Sequence, residues 1–119
     1  MLNWTTHDVG GVLVITLEPS TAATEDRQSA ERQALYQAIQ TRADPRFAVD
    51  LGRVDYVSSA DIGFLITLRR RIDARKGKLA LFDMNPYMHD SLATMKLLPL
   101  FSVAEDLTEA LLLLPSGDA

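Results

Sequence analysis

Two adjacent serines, Ser58 and Ser59, stand where an acidic, apolar-rich stretch gives way to a helical pattern: Val49-Asp50-Leu51-Gly52-Arg53-Val54-Asp55-Tyr56-Val57-Ser58-Ser59-Ala60-Asp61-Ile62-Gly63-Phe64-Leu65. Ser58 and Asp61 fit the Ser-x-x-Asp spacing of a capping box, in which the hydroxyl accepts a backbone N–H of the first turn and the acid reaches back to the N–H of the cap. Capping alone accounts for that spacing. The same place also holds a hydroxyl beside the free N–H groups and positive dipole end of a helix, where a phosphate of about −1.5 to −2 charge is accommodated. Serine phosphorylation is therefore the chemistry to weigh here.

Other chemistry lacks carriers. The histidines are His7 and His89 alone, and His89-Asp90 reads as a solvated helix start, so no metal site is expected. No Gly-x-Ser-x-Gly elbow, phosphate loop or dinucleotide fingerprint occurs, and no histidine lies near Ser59 to act as its base. No catalytic residue, no cofactor and no enzyme activity are expected. Zero cysteines exclude disulfides and thiolate catalysis, and fit a reducing, cytoplasmic setting. The first residues, Met1 to Asp8, lack the basic and apolar regions of a cleaved signal, and no apolar run is long enough for direct membrane insertion.

The net charge of −4 argues against nucleic acid as a partner. One basic cluster, Arg69 to Lys78, holds half of the twelve basic residues. Cations in the last turns of a helix oppose its negative end by ~0.3–1 kcal/mol each, and Ile72 and Asp73 interrupt any continuous phosphate-tracking face.

The elements that must position the serines follow from periodicity and breakers. Trp4 to Asp8 reads as a strand, Gly10-Gly11 as a tight turn, and Val12 to Leu17 as a β-branched second strand. Pro19-Ser20-Thr21 breaks the chain. Thr24 is the expected cap of a helix that runs to about Ala43, with Ala30, Ala34, Leu35, Ala38 and Ile39 as its stripe and the alanines marking close packing. Phe47 to Leu51 is a strand with alternate residues on one face. A loop from Gly52 to Ser58 leads to a helix over about Ser59 to Lys76, which Gly77 ends. Lys78 to Phe82 is a strand, Tyr87 to Met95 a short helix, Leu100 to Val103 a fifth strand and Glu105 to Leu113 a closing helix. The expectation is one α/β domain over residues 1–114, a mixed β-sheet of about five strands in the order β-β-α-β-α-β-α-β-α with covering helices, and a flexible tail at 115–119. At 119 residues there is room for a single domain.

The stretch from Val49 to Leu65 resembles the region around the switch serine of STAS domains, the anti-sigma factor antagonists. There a strand ends in an acidic loop and an Asp-Ser-Ser/Thr-Gly-Leu-Gly-like motif begins the second helix. The resemblance extends to Gly10-Gly11-Val12-Leu13-Val14-Ile15, to Lys76-Gly77-Lys78-Leu79-Ala80-Leu81 and to the apolar Met95 to Phe101 segment, covering Trp4 to Leu113.

It implies a cytoplasmic regulatory binding module of a partner-switching pathway in transcription regulation. The implied partner is an anti-sigma factor that is also a serine kinase, or a related partner-switching protein, with a homodimer left open. The implied phosphorylation site is Ser59, with Ser58 as the alternative. Partner contact falls to Asp55, Tyr56, Val57, Ser58, Ser59, Ala60, Asp61, Ile62, Gly63 and Phe64. Asp61 departs from the family's glycine. A carboxylate ~6–7 Å from a dianionic phosphate opposes it by on the order of 2–5 kcal/mol, more than the ~0.3–1 kcal/mol a helix end returns. The alternative reading is accordingly a STAS module that is never phosphorylated and serves as a structural subunit of a transporter or larger signalling scaffold.

Leu97-Leu98-Pro99-Leu100 is bulkier than the turn expected at that place. It reads either as packing under the last strand or as an apolar contact patch.

Overall fold

The structure, a computed structural model, describes residues 3–18 and 25–115. Strands β1 (Asn3–Val9) and β2 (Val12–Glu18) form an antiparallel hairpin, and β3 (Arg46–Asp50), β4 (Lys78–Phe82) and β5 (Ser102–Ala104) follow in parallel. Strand order in the sheet equals chain order, from β1 at one edge to β5 at the other. The helices are α1 (Glu25–Thr41), α2 (Ser59–Ala74), α3 (Pro86–Thr94) and α4 (Leu107–Leu113), with one 3-10 turn at Leu98–Leu100. This is the expected mixed α/β domain. The Pro19-Ser20-Thr21 break, the Thr24 cap and residues 116–119 of the expected tail lie outside the described residues.

Alternation along the strands divides the core between two faces. Leu13, Ile15 and Leu17 of β2 share a face with Phe47 and Val49 of β3 and Leu81 of β4, and they bury Leu35 and Ile39 of α1, Leu65, Leu68 and Ile72 of α2, and Met88 and Leu92 of α3. Val12, Val14, Ala48, Ala80 and Phe82 point the other way, onto Ala110 and Leu114 near α4. Alanines at the centre of that face let a seven-residue helix lie close against the sheet.

Each parallel crossover returns α1, α2 and α3 to the first face, so the loops that follow β3 and β4 open at the same end of the sheet. That is the end where α2 and α3 begin.

Three arginines tie the opposite end together. Arg42 bonds the Asp8 carboxylate at 2.6 Å and the Gly11 carbonyl at 2.8 Å. Arg46 grips the Asp44 carboxylate through two nitrogens and reaches the Leu114 carbonyl at 2.9 Å. Arg75 donates to the carbonyls of Ile39 and Arg42 at 2.6 Å each. The Arg42 and Arg46 guanidinium groups hold the Asp8 and Asp44 carboxyls below the ordinary carboxylate range. Gly10 and Gly11 both have positive φ, as a two-residue hairpin turn of this hand requires, and a Cβ on Gly11 would strike the Arg46 and Asp44 side chains.

Two expectations need correction. The fifth strand, expected from Leu100, begins at Ser102: Leu100 closes a 3-10 turn over Leu98–Leu100, and the N–H groups of Leu100 and Phe101 are spent on the carbonyls of Leu97 and Leu98 at 3.0 Å each. The α1 alanines do not mark close packing. Ala30 and Ala34 are exposed and Ala38 is half-buried, while Leu35 and Ile39 make the buried contact. Of the Leu97 to Leu100 run, Leu97 and Leu98 pack against the core, and Leu100 remains exposed.

Candidate functional site

The loop from β3 to α2 is pinned by three apolar anchors, Leu51, Val54 and Val57, all buried. The spacing of three turns their side chains to the same side and leaves Asp55 and Tyr56 in solvent. Asn85 adds a second tie. Its side-chain N–H group donates to the carbonyls of Val54 and Asp55, and its carbonyl oxygen caps α3 by accepting from the Met88 N–H at 2.7 Å. One side chain thus registers the loop ahead of α2 against the first turn of α3.

The capping box expected from Ser-x-x-Asp is present in full. Ser58 Oγ accepts from the Asp61 N–H at 3.1 Å, and Asp61 Oδ2 accepts from both the Ser58 N–H at 2.9 Å and the Ser58 hydroxyl at 2.7 Å. Asp61 is only 5% exposed. The Ser58 hydroxyl is therefore used as donor and as acceptor inside the fold. Ser59, at the first helical position, is exposed.

Beside Ser59 lies a groove of about 220 Å³ between the starts of α2 and α3. Tyr56, Val57, Ser59 and Ile62 line one wall, and Tyr87, Met88, Ser91 and Met95 the other. Tyr56 and Tyr87 are each 64% exposed and Met95 45%. The rim of the groove thus carries three large, partly apolar side chains in solvent.

Of the ten residues singled out for partner contact, the structure gathers Tyr56, Val57, Ser59 and Ile62 on this groove and leaves Asp55, Ala60 and Gly63 exposed nearby. Ser58 and Asp61 form the cap. Phe64 is turned inward, stacked on Trp4 with ring centroids 5.0 Å apart and near Tyr36. Among the described residues, a Cβ on Gly63 would meet nothing within 4 Å, so none of them requires a glycine at that point of α2.

The sequence reading did not single out the α3 wall. Tyr87, Ser91 and Met95 recur every four residues, one helical stripe, and that signal was available. What it faces was not, because the Asn85 tie to the loop is a tertiary contact.

The sequence matches the family described as "Mlab, STAS domain" over residues 14–100. The chain belongs to the STAS-domain family. BtrV of Bordetella bronchiseptica, described as an anti-sigma factor antagonist, is 24% identical over 100 residues, 84% of each chain. Among solved structures, an anti-sigma factor antagonist of Thermotoga maritima superposes with a TM-score of 0.75 at 15% identity, over 93% of both chains. The Bacillus cell fate determinant SpoIIAA in its phosphorylated form superposes at 0.67 and 20% identity, over 92% of this chain and 96% of the other. The fold is the one these anti-sigma factor antagonists share.

Proposed function

We propose that this protein is a non-enzymatic, cytoplasmic binding module of the anti-sigma factor antagonist type, docking to an anti-sigma serine kinase through the groove between α2 and α3 and switched by phosphorylation of Ser59. The observation that carries the reading is the placement of an exposed serine hydroxyl on the rim of an apolar groove, at a helix start that is already rigidly capped. ATP bound to the partner kinase supplies the phosphoryl group: the Ser59 Oγ attacks the γ-phosphorus, the bond from that phosphorus to the β,γ-bridging oxygen breaks, ADP leaves, and a base of the kinase takes the hydroxyl proton. The new dianion then stands between two walls of apolar side chains, where an apolar partner surface would have to desolvate it.

Ser59 is the acceptor rather than Ser58, because the Ser58 Oγ is engaged on both sides by Asp61. Tyr56, Ile62, Tyr87 and Met95 supply the contact area, and Gly63 lets a partner backbone approach α2. The test is binding to the serine kinase recovered with the wild-type protein from its host. Ser59→Ala is expected to bind as wild type does and Ser59→Asp at least tenfold more weakly. Indistinguishable affinity of Ser59→Asp and wild type would refute the switch.

Asp61 favours a second reading: an unswitched STAS module holding a transporter subunit or scaffold. Its carboxylate stands at N3, two residues from Ser59, and opposes a phosphate there. That reading expects no phosphorylated species in cells and a complex insensitive to Ser59→Asp. A shifted band on a phosphate-affinity gel, absent from Ser59→Ala, eliminates it.

A further inference from the structure

At the far side of the sheet from α3 and β5, β1 is an edge that no strand among the described residues pairs with on its outer side. It is seven residues long, unbroken in register with β2 from Asn3↔Glu18 to Val9↔Val12, and carries neither proline, lysine nor bulge. Edge strands of soluble proteins are normally blunted by such devices, because a free row of N–H and C=O groups pairs with other strands. The two-residue turn at Gly10-Gly11 makes Val9 and Val12 a hydrogen-bonded pair, and the alternation that follows turns the backbone groups of Trp4, Thr6 and Asp8 outward.

We infer that this edge joins a second copy of the chain, β1 to β1 in antiparallel register about a two-fold axis through Thr6. That register overlaps all seven residues and sets Thr6 against Thr6, Trp4 against Asp8 and Thr5 against His7. The outward groups of Trp4, Thr6 and Asp8 then exchange six backbone hydrogen bonds, and no like charges stand opposite each other.

The flank of α1 fits the same symmetry. A groove of about 460 Å³ runs between β1 and α1, floored by Leu13 and Leu35 and open because Ala34 and Ala38 are small. Glu31 lies on its lining, and the other end carries Arg42, bonded to Asp8. β1 and α1 run in the same direction, so the two-fold brings the Trp4 and Glu31 end of one copy to the Asp8 and Arg42 end of the other, acid toward base. The strand is ~24 Å long, and a strand with a helix above it gives a face ~20 Å high, so on the order of 500 Å² per copy is covered. The total, roughly 1,000 Å², sits at the small end of specific interfaces, as expected of a weak, concentration-dependent dimer.

Sedimentation velocity of the full chain from about 1 μM to about 1 mM tests this, the expected result being a shift from monomer to dimer across that range. Thr6→Pro removes an outward N–H without touching a β2 bond, and Thr6→Lys places two ammonium groups on the axis. Each is expected to raise the dimerisation midpoint at least tenfold, with circular dichroism and melting temperature close to wild type. If the proline variant misfolds, the lysine variant decides. A monomer at every concentration overturns the inference and leaves the edge to a strand from a different protein. A dimer that Thr6→Lys does not weaken overturns it as well.

Discussion

Replacing Asp61 by alanine tests how α2 is started. The substitution removes two bonds at Oδ2, from the Ser58 N–H at 2.9 Å and the Ser58 hydroxyl at 2.7 Å, at a side chain 5% exposed. Each such bond contributes ~1–1.5 kcal/mol net, and the better helix propensity of alanine returns ~0.5 kcal/mol. The expected loss is about 2 kcal/mol. An unfolding entropy of ~2.1 cal/mol/K per residue makes 1 kcal/mol worth about 4 °C for a chain of this length, so the melting temperature should fall by about 8 °C.

Urea titration and a thermal melt both read this. Ser58→Ala should cost about 1–2 kcal/mol, and the double variant about 1 kcal/mol less than the two singles together, since they break one box. Asp61→Asn keeps an acceptor for the Ser58 N–H and should recover about half the loss. Stability of Asp61→Ala within about 0.5 kcal/mol of wild type, or strict additivity with Ser58→Ala, would refute the reasoning.

Gly63→Ala should stabilise the free protein by about 0.5–1 kcal/mol in a urea titration, because α2 loses a helix-weakening glycine and the added Cβ meets nothing. The same variant should bind the kinase partner more weakly; a destabilised protein would show that the space above Gly63 is already filled. Gly11→Ala should cost about 1–3 kcal/mol in a thermal melt, since its φ of 89° and the Arg46 and Asp44 side chains both exclude a Cβ. The lowered Asp8 and Asp44 carboxyls stabilise the fold at pH values above their unfolded value near 3.8, and that stabilisation is lost as pH falls through their lower folded values. Melting temperatures taken between about pH 2 and pH 7 should therefore drop below about pH 4, less steeply in Asp8→Asn/Asp44→Asn; identical profiles would show that these pairs do not contribute.

The parts of the fold that were legible in the sequence are those whose signals are local. The Val12 to Leu17 run, Gly10-Gly11 and the Ser58-x-x-Asp61 box each specify their conformation through neighbours in the chain, and the structure has them where their residue types place them. Illegible features depend on what meets what. Leu100 and Phe101 have a strand's hydrophobicity, but their N–H groups bond back to Leu97 and Leu98 in a 3-10 turn, and the strand waits for Ser102. Phe64 follows the exposed Gly63 in sequence yet sits one helical step around α2, against Trp4. At the site, the serine wall and the helical stripe of the α3 wall were both readable, but that they face each other was not, because Asn85 joins them across thirty residues of chain.

The most direct test of the docking face is quantitative mass spectrometry of proteins captured from the host lysate by tagged wild type, Ser59→Ala, Ser59→Asp and Gly63→Arg. An ATP-binding serine kinase should be enriched by wild type and Ser59→Ala and lost from Ser59→Asp and Gly63→Arg. Equal enrichment of the same partner by all four would contradict the account.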